Sequence, residues 1–539
     1  MRREDSGQPN GPRRFSFWMV FGPLLVLITG LLWKRRTHDH PAALPSQTEQ
    51  QRAERGQSFS ETPPPVRRGA VGRWIEDRTG LLSLLDRAKQ HRAPAKSRWA
   101  YVFGSATLFA FLLLVVTGFG LALVYQPDSA AAFDSLRAID AHPLWRTLRG
   151  LHYFGASLMV VMIGVHMIRV YLFASYKYPR EVSWLTGVAL LFLTLAMAFT
   201  GQVLRWDQNG LWSIVVGAEQ AARAPLIGKG LARFLLGGDT VNGGTVSHTF
   251  ALHTFWFPAL IFALIGLHLF LAFRNGVSEP PERGRLVNPA TYRAEYQALL
   301  KTDGVQFWPT AAWRDVLFSS ILVLLVTGLA YWLGPPAVTV PPDPSIVQAD
   351  PKPDWYLTWY FTVLALWPYG VTNAMLILAP LMAVVALVAV PFIRNRGERH
   401  PARRPWAVGI VLTVVCSVAA LTVVGNREPW LPRFGAPPLP TSVVNSNVPS
   451  VRLGAALFHD RSCQVCHQIS GSGGLRGPDL TAVGARLSRG ELAWRVQNGA
   501  ASMPPYAGIL STEELNHLLD FLQTRQGRSE KVQASRMQP

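Results

Sequence analysis

Eight stretches of this chain are apolar over nearly the whole length that a helix needs to cross a bilayer, and that limits its possible folds more than any other feature. They run from about 15–33, 101–125, 153–174, 186–205, 253–273, 314–333, 372–394 and 405–424, against the roughly 20 residues that span a hydrocarbon core. A helix satisfies its own backbone hydrogen bonds without water. The expected class is therefore all-α: a transmembrane helical bundle of seven core spans, with the first stretch as a possible N-terminal span. Composition agrees, because 49% of the 539 residues are hydrophobic and only 16% are charged.

A net charge of +19 would suggest nucleic acid in a soluble chain. Here the basic residues crowd beside apolar spans, between Lys34 and Arg98 and between Arg394 and Arg404, the signature of cytoplasmic loops. The expected partner is the lipid bilayer and not nucleic acid. Residues 1–33 read as a basic leader, an uncleaved anchor in preference to a signal peptide because no small-residue cleavage site follows Trp33. Residues 34–98 form a polar cytoplasmic segment that ends in an amphipathic stretch around Trp74 to Ala88. The membrane core divides into 99–275 and 276–425. A Pro-rich linker follows at 426–445, its prolines running on to Pro449, and 446–539 form a small soluble domain.

Only three cysteines occur. Cys463 and Cys466 belong to a Cys-x-x-Cys-His run closed by His467, which reads as the covalent attachment of a c-type haem, chemistry that occurs outside the cytoplasm. Cys416 lies in an apolar span and is expected to be a small buried side chain.

Four histidines fall in two matched pairs. His152 and His166 share one span, His253 and His268 another. About fourteen residues return a helix to within about 40° of its starting face and raise it about 21 Å, so each span offers two ligands at two depths. His152 with His253, and His166 with His268, would clamp two non-covalent b-type haems stacked across the bilayer. A single histidine of this kind is as readily a hydrogen-bonded core residue; four in register are not. His248 fits neither spacing and is expected in a loop. Gly104 and Gly118, and Gly187 and Gly201, repeat the same interval on the neighbouring spans. They would bare backbone where a flat macrocycle could lie, or simply pack helices closely. Arg149 and Arg169 stand near one turn outside the histidines, placed to meet haem propionates or to anchor the helix ends.

Arg149-Gly-Leu-His152 with His166, the glycine pairs, Trp206-Asp207-Gln208, His253 with His268, and Pro353-Asp354-Trp355-Tyr356 together resemble cytochrome b of the quinol:cytochrome c oxidoreductases over roughly residues 70–425. The His253–His268 gap and the Trp-Asp-Gln run look more like the chloroplast-type cytochrome bf branch, though both halves share one chain here. No cysteine stands near the first core helix, so the extra covalent haem of that branch is not expected. The resemblance implies a quinol-oxidising site in which Asp354 replaces the family's glutamate as proton acceptor, beside Tyr356. Asp354 would equally serve as an N-cap. By its position after His268, Arg274 resembles a basic residue near the quinone-reducing site.

In the last domain His467 would be the proximal iron ligand, Met503 the distal one, and Pro478 resembles the proline that packs beside the proximal ligand in class I cytochromes c. Ser511 and Glu514 spell a capping box. Seven crossings carry this domain to the side opposite the basic segment, the periplasmic face of a bacterial inner membrane. By resemblance the subunit passes one electron inward over the b haems and the other to a separate Rieske iron–sulfur protein, for which no cysteines remain in this chain. The fused c haem would then feed a soluble c-type cytochrome or a terminal oxidase. A homodimer inside a larger complex is expected, drawing on the membrane quinone pool. Two rival classes remain: the di-haem anchor of a quinone-reducing dehydrogenase, and a non-catalytic haem conduit.

Overall fold

In the computed structural model the described residues are 69–79, 91–238, 241–343, 352–366, 369–393, 395–427, 438–473, 477–499, 503 and 505–527. The possible span at 15–33 lies outside them. The described residues fall into two units, one containing those up to Val102, Gly276–Pro280 and Arg293–Leu317, the other the remainder.

In the first unit lie helix α1 (Ala70–Thr79), which covers part of the expected amphipathic stretch, and an antiparallel pairing of β1 (Arg92–Pro94) with β3 (Gly304–Gln306). Tyr296, on α9 (Tyr292–Asp303), donates its hydroxyl to the Val277 carbonyl at 2.7 Å.

The second unit holds the bundle. Its helices are α2 (Phe103–Ala122), α3 (Ala132–Ala141), α4 (Pro143–Leu172), α5 (Glu181–Val203), α6 (Gln208–Ala222), α7 (Gly228–Leu236) and α8 (Gly243–Asn275). Beyond them come α10 (Trp313–Trp332), α11 (Trp355–Leu366), α12 (Tyr369–Ile393) and α13 (Pro405–Arg427), with β2 (Leu286–Val287) paired to β4 (Gly397–Glu398). Seven of the described helices are long and apolar enough to cross a membrane, namely α2, α4, α5, α8, α10, α12 from Ala374, and α13. They coincide with the seven expected core spans. Many of their large apolar side chains, such as Phe119, Leu260 and Leu324, point outward, where lipid replaces a protein core. Cys416 belongs to that set: it is exposed on α13, not buried. Apolar surroundings say little about burial when the solvent is itself apolar.

The last domain is built on α15 (Pro449–Asp460), α16 (Cys463–Cys466), α17 (Val483–Arg486), α18 (Arg489–Asn498) and α19 (Thr512–Gln523), preceded by α14 (Thr441–Val444), and includes a two-residue hairpin of β5 (Gln468–Ile469) and β6 (Ser472–Gly473). The Ser511–Glu514 capping box opens α19 as the sequence suggests. Gly454 lets α15 and α19 touch, since a methyl there would strike the His517 carbonyl. The packing also reaches further upstream than the expected boundary at 446. Leu439 is buried in this domain's core, Val443 and Val444 pack on it, and Arg525 donates to both of their carbonyls. The last third of the supposed linker, from Leu439 on, thus belongs to the domain, because its apolar residues have a core to join.

Candidate redox sites

The two histidine pairs assemble from α4 and α8, and each ring is met by a glycine of a neighbouring helix. A methyl built on Gly118 would stand 3.0 Å from His152 Cε1, on Gly201 3.0 Å from His253 Cε1, on Gly104 3.1 Å from His166 Cε1 and on Gly187 3.7 Å from His268 Cε1. Gly104, Gly118 and Gly201 therefore make room for the imidazoles themselves, whereas a methyl at Gly187 would make an ordinary contact.

Three of the rings are also oriented by threonines that the sequence reading missed. Thr117 Oγ1 lies 2.9 Å from His152 Nδ1, Thr200 Oγ1 3.0 Å from His253 Nδ1, and Thr186 Oγ1 2.8 Å from His268 Nδ1. Each hydroxyl has one proton and also lies within hydrogen-bonding distance of a carbonyl of its own helix: Leu113, Met197 and Ser183 respectively. With its proton given to that carbonyl, the oxygen accepts from Nδ1–H. The Met197 carbonyl, which can only accept, lies 3.1 Å from His253 Nδ1 and requires the same tautomer. Nε2 is then left as a bare lone pair, the state a metal ligand needs. The available signal was a dipeptide: Thr117-Gly118, Thr186-Gly187 and Thr200-Gly201.

The unequal spacing of the pairs has a local remedy. His253 and His268 are one residue further apart than His152 and His166, which on a regular helix would add about 100°. A π-helical turn at Leu252–Trp256, containing His253, absorbs the extra residue. The His152 and His253 rings end 6.2 Å apart. With about 2 Å for an imidazole–metal bond and about 1 Å from ring centre to nitrogen, two rings that share one metal ion can sit about 6 Å apart, so these residues fit a haem that both would hold.

Arg149 makes a two-pronged ion pair with Asp140, at 2.5 and 2.6 Å, and donates to the Pro336 carbonyl at 2.8 Å. Arg169 is buried one turn from His166, its guanidinium 5.2 Å from the Phe173 ring. Arg274 is exposed in the last turn of α8. His248, expected in a loop, lies near the start of α8 with Nε2 2.6 Å from the Phe234 carbonyl, because the helix begins a full ten residues before His253.

Asp354 occupies the N-cap position of α11, its carbonyl accepting from Leu357 N–H. Its carboxylate accepts from the Tyr356 hydroxyl at 2.7 Å. Burial raises the acid's pKa above the ordinary carboxylate range, against opposing pulls from the Tyr356 hydrogen bond and the Arg205 charge. Burial, reinforced by the Asp354 charge, also holds the Tyr356 hydroxyl well above its ordinary pKa. The head of α11 is tied to the helix of His152, as Trp355 Nε1 lies 3.3 Å from Ser157 Oγ.

In the last domain His467 Nδ1 lies 2.9 Å from the Pro478 carbonyl, so the ring again presents a bare Nε2; burial lowers its pKa and keeps it neutral. A methyl on Gly477 would come 2.5 Å from His467 Cε1. Cys463 and Cys466 are not joined in a disulfide, and Cys463 and Met503 pack against the same apolar core. Donor set and surroundings fit a haem held by two thioethers.

Comparison with known proteins gives three family matches: "Cytochrome b/b6/petB" over residues 88–276, "Cytochrome b(C-terminal)/b6/petD" over 341–434, and "Cytochrome C oxidase, cbb3-type, subunit III" over 449–522. Cytochrome b of Rhodobacter capsulatus is 29% identical over 371 residues, 64% of this chain and 83% of that protein. Cytochrome b6 of Cyanothece sp. is 34% identical over 217 residues, 40% of this chain and 97% of that protein. The menaquinol:cytochrome c reductase cytochrome b subunit of Bacillus subtilis is 33% identical over 216 residues, 38% of this chain and 96% of that protein. A solved chain of a hyperthermophilic respiratory complex III matches with a TM-score of 0.55 at 25% identity, covering 66% of this chain and 91% of that one.

Proposed function

Because the chain belongs to the cytochrome b/b6 family and carries a cytochrome c domain at its C-terminus, we propose that Asp354 takes the proton of quinol in a complex III-type quinol:cytochrome c reductase. The chain is the cytochrome b subunit of such a complex, a multi-pass membrane protein with b haems and a covalent c haem. The observation that carries the proposal is the Asp354–Tyr356 pair at the head of α11, beside the helix of His152.

Bound haem supplies a one-electron centre at each histidine site. His152 with His253 and His166 with His268 would each hold one b haem, Gly104, Gly118 and Gly201 making space for the rings. His467 and Met503 would ligate the third, on Cys463 and Cys466. Arg169 has the position to meet a propionate, whereas Arg149 serves Asp140 and Pro336. Asp354 in its ionised form accepts a proton at its carboxylate, and the Tyr356 hydroxyl holds that oxygen in place. Arg274 sits where a quinone arriving at the opposite face would meet a positive charge. The seven spans support a bacterial inner-membrane location with the c domain outside. A Rieske protein is supplied separately, since two of the three cysteines are committed to haem. It would pass its electron to the fused domain, and the domain to a soluble cytochrome or terminal oxidase, in a dimeric assembly.

Asp354→Asn tests the assignment. The amide is close in shape and still caps a helix, so all three haems should remain while quinol-dependent reduction of cytochrome c, normalised to b haem, falls about 10²- to 10⁴-fold. Wild-type rates across pH 5.5–8.5 would make Asp354 a cap and not a base.

A further inference from the structure

Trp206 and Asp207 stand in the short corner between α5 and α6, Gln208 opens α6, and Asp207 and Gln208 both reach the same distant segment. Asp207 is fully buried. Its Oδ1 accepts from Gly210 N–H at 3.0 Å and so caps α6. Its Oδ2 accepts from Arg205 Nη2 at 2.6 Å and from Thr339 N–H at 3.1 Å. Gln208 faces the backbone of Asp343 with both ends of its amide: Nε2 donates to the carbonyl and Oε1 accepts from N–H, each at 2.7 Å. The Gln208 N–H itself donates to the Val340 carbonyl at 3.1 Å. Trp206 adopts a left-handed φ of 42° and is fixed by donating Nε1–H to the Ser129 carbonyl. A bulky side chain holds that conformation only where its surroundings impose it.

One helix turn back, Gln202 Nε2 lies 3.0 Å from Ser213 Oγ and 3.4 Å from the Lys352 carbonyl. Lys352 is two residues before Asp354. The corner thus grips the connection from α10 to α11 at Thr339, Val340 and Asp343, and again at Lys352 on the threshold of Pro353-Asp354-Trp355-Tyr356.

We infer that Asp207 and Gln208 are positioning residues for the quinol reaction: they hold residues 339–343 of the connection from α10 to α11 and so bear on where Asp354 stands. This rests on the reading of Asp354 as proton acceptor. A polar pair of this kind is replaceable for folding but not for placement, since displacing a reacting group by about 1 Å costs up to about 10²-fold in rate.

The test uses the assembled complex with its Rieske partner and two variants, Gln208→Ala and Gln208→Glu. Gln208→Ala should keep both b haems and the c haem, lower kcat about tenfold or more with quinol KM changed less than about twofold, and speed hydrogen–deuterium exchange of the amides of 339–343 and 352–357. The helices of His152 and His253 should exchange as in wild type. Gln208→Glu, which still accepts from Asp343 N–H, should recover part of both losses. Faster exchange of residues 339–343 with wild-type kcat would overturn the positioning role, and unchanged exchange would overturn the clamp. Neither outcome touches Asp354 itself, whose role fails only if Asp354→Asn is fully active. In that case the exchange result still decides whether the corner holds the connection.

Discussion

The haem sites of the membrane bundle and of the C-terminal domain solve one problem over very different sequence distances. In both, histidine Nδ1–H is engaged, which leaves Nε2 as the nitrogen that would hold a metal. In the small domain the acceptor is the Pro478 carbonyl, eleven residues from His467. In the bundle the acceptors are hydroxyls 35, 53 and 82 residues away, on Thr117, Thr200 and Thr186. The local site is built around one turn of chain, with two cysteines that would tie a haem covalently; the remote sites exist only once α2, α4, α5 and α8 have packed. Such attachment would make the first independent of the second.

The largest effect should come from removing the attachment or a ligand. Cys463→Ser combined with Cys466→Ser should abolish covalent haem and leave two b haems, whereas His253→Leu should cost one b haem and leave the c haem untouched; pyridine haemochrome ratios decide. If either change removed both kinds of haem, the independence would be broken. Alanine substitution of the glycines should follow the space each ring has: Gly477→Ala worst, at 2.5 Å; Gly118→Ala and Gly201→Ala next, at 3.0 Å; Gly187→Ala mildest, at 3.7 Å, an ordinary contact. Haem content of purified protein gives the order.

Thr117→Val should weaken retention of its b haem about 10- to 100-fold, as loss of an outer partner usually does. Thr200→Val should cost less, because the Met197 carbonyl still holds His253. Equal losses would show that the hydroxyls do not choose the tautomer. The smallest effect is one of pH. Asp354 must be ionised to accept a proton, so the rate should fall as pH drops through its raised pKa. Tyr356→Phe removes the hydrogen bond that lowers that pKa, and the acid limb of the pH–rate profile should move upward. A downward shift would contradict the pairing.

The same difference in distance explains what could be read beforehand. Spans, paired histidines and the Cys-x-x-Cys-His run are periodic or contiguous, so residue spacing alone carries them. The π turn at His253 and the Asp207–Gln208 grip on residues 339–343 depend on which helices become neighbours, and no interval in one strand of sequence encodes that; the threonines show beforehand only as a Thr-Gly dipeptide at three of the four glycines. Cys416 was misjudged for a related reason, since lipid makes outward and inward apolar faces alike. The linker was overestimated because Leu439 and Val443 look like spacers until a core is there to receive them.

That early docking bears on how electrons are shared out. With Arg525 fastening Val443 and Val444 to the domain, only residues 428–438 separate the end of α13 from the start of the domain, a contour of about 40 Å at most. A redox domain confined to such a radius would meet a donor held by the same subunit at an effective concentration on the order of millimolar, whatever the abundance of soluble carriers. Dilution would then slow only the exit of electrons from the complex, and lengthening the chain between Arg427 and Leu439 would tune the internal hand-over without altering a single ligand.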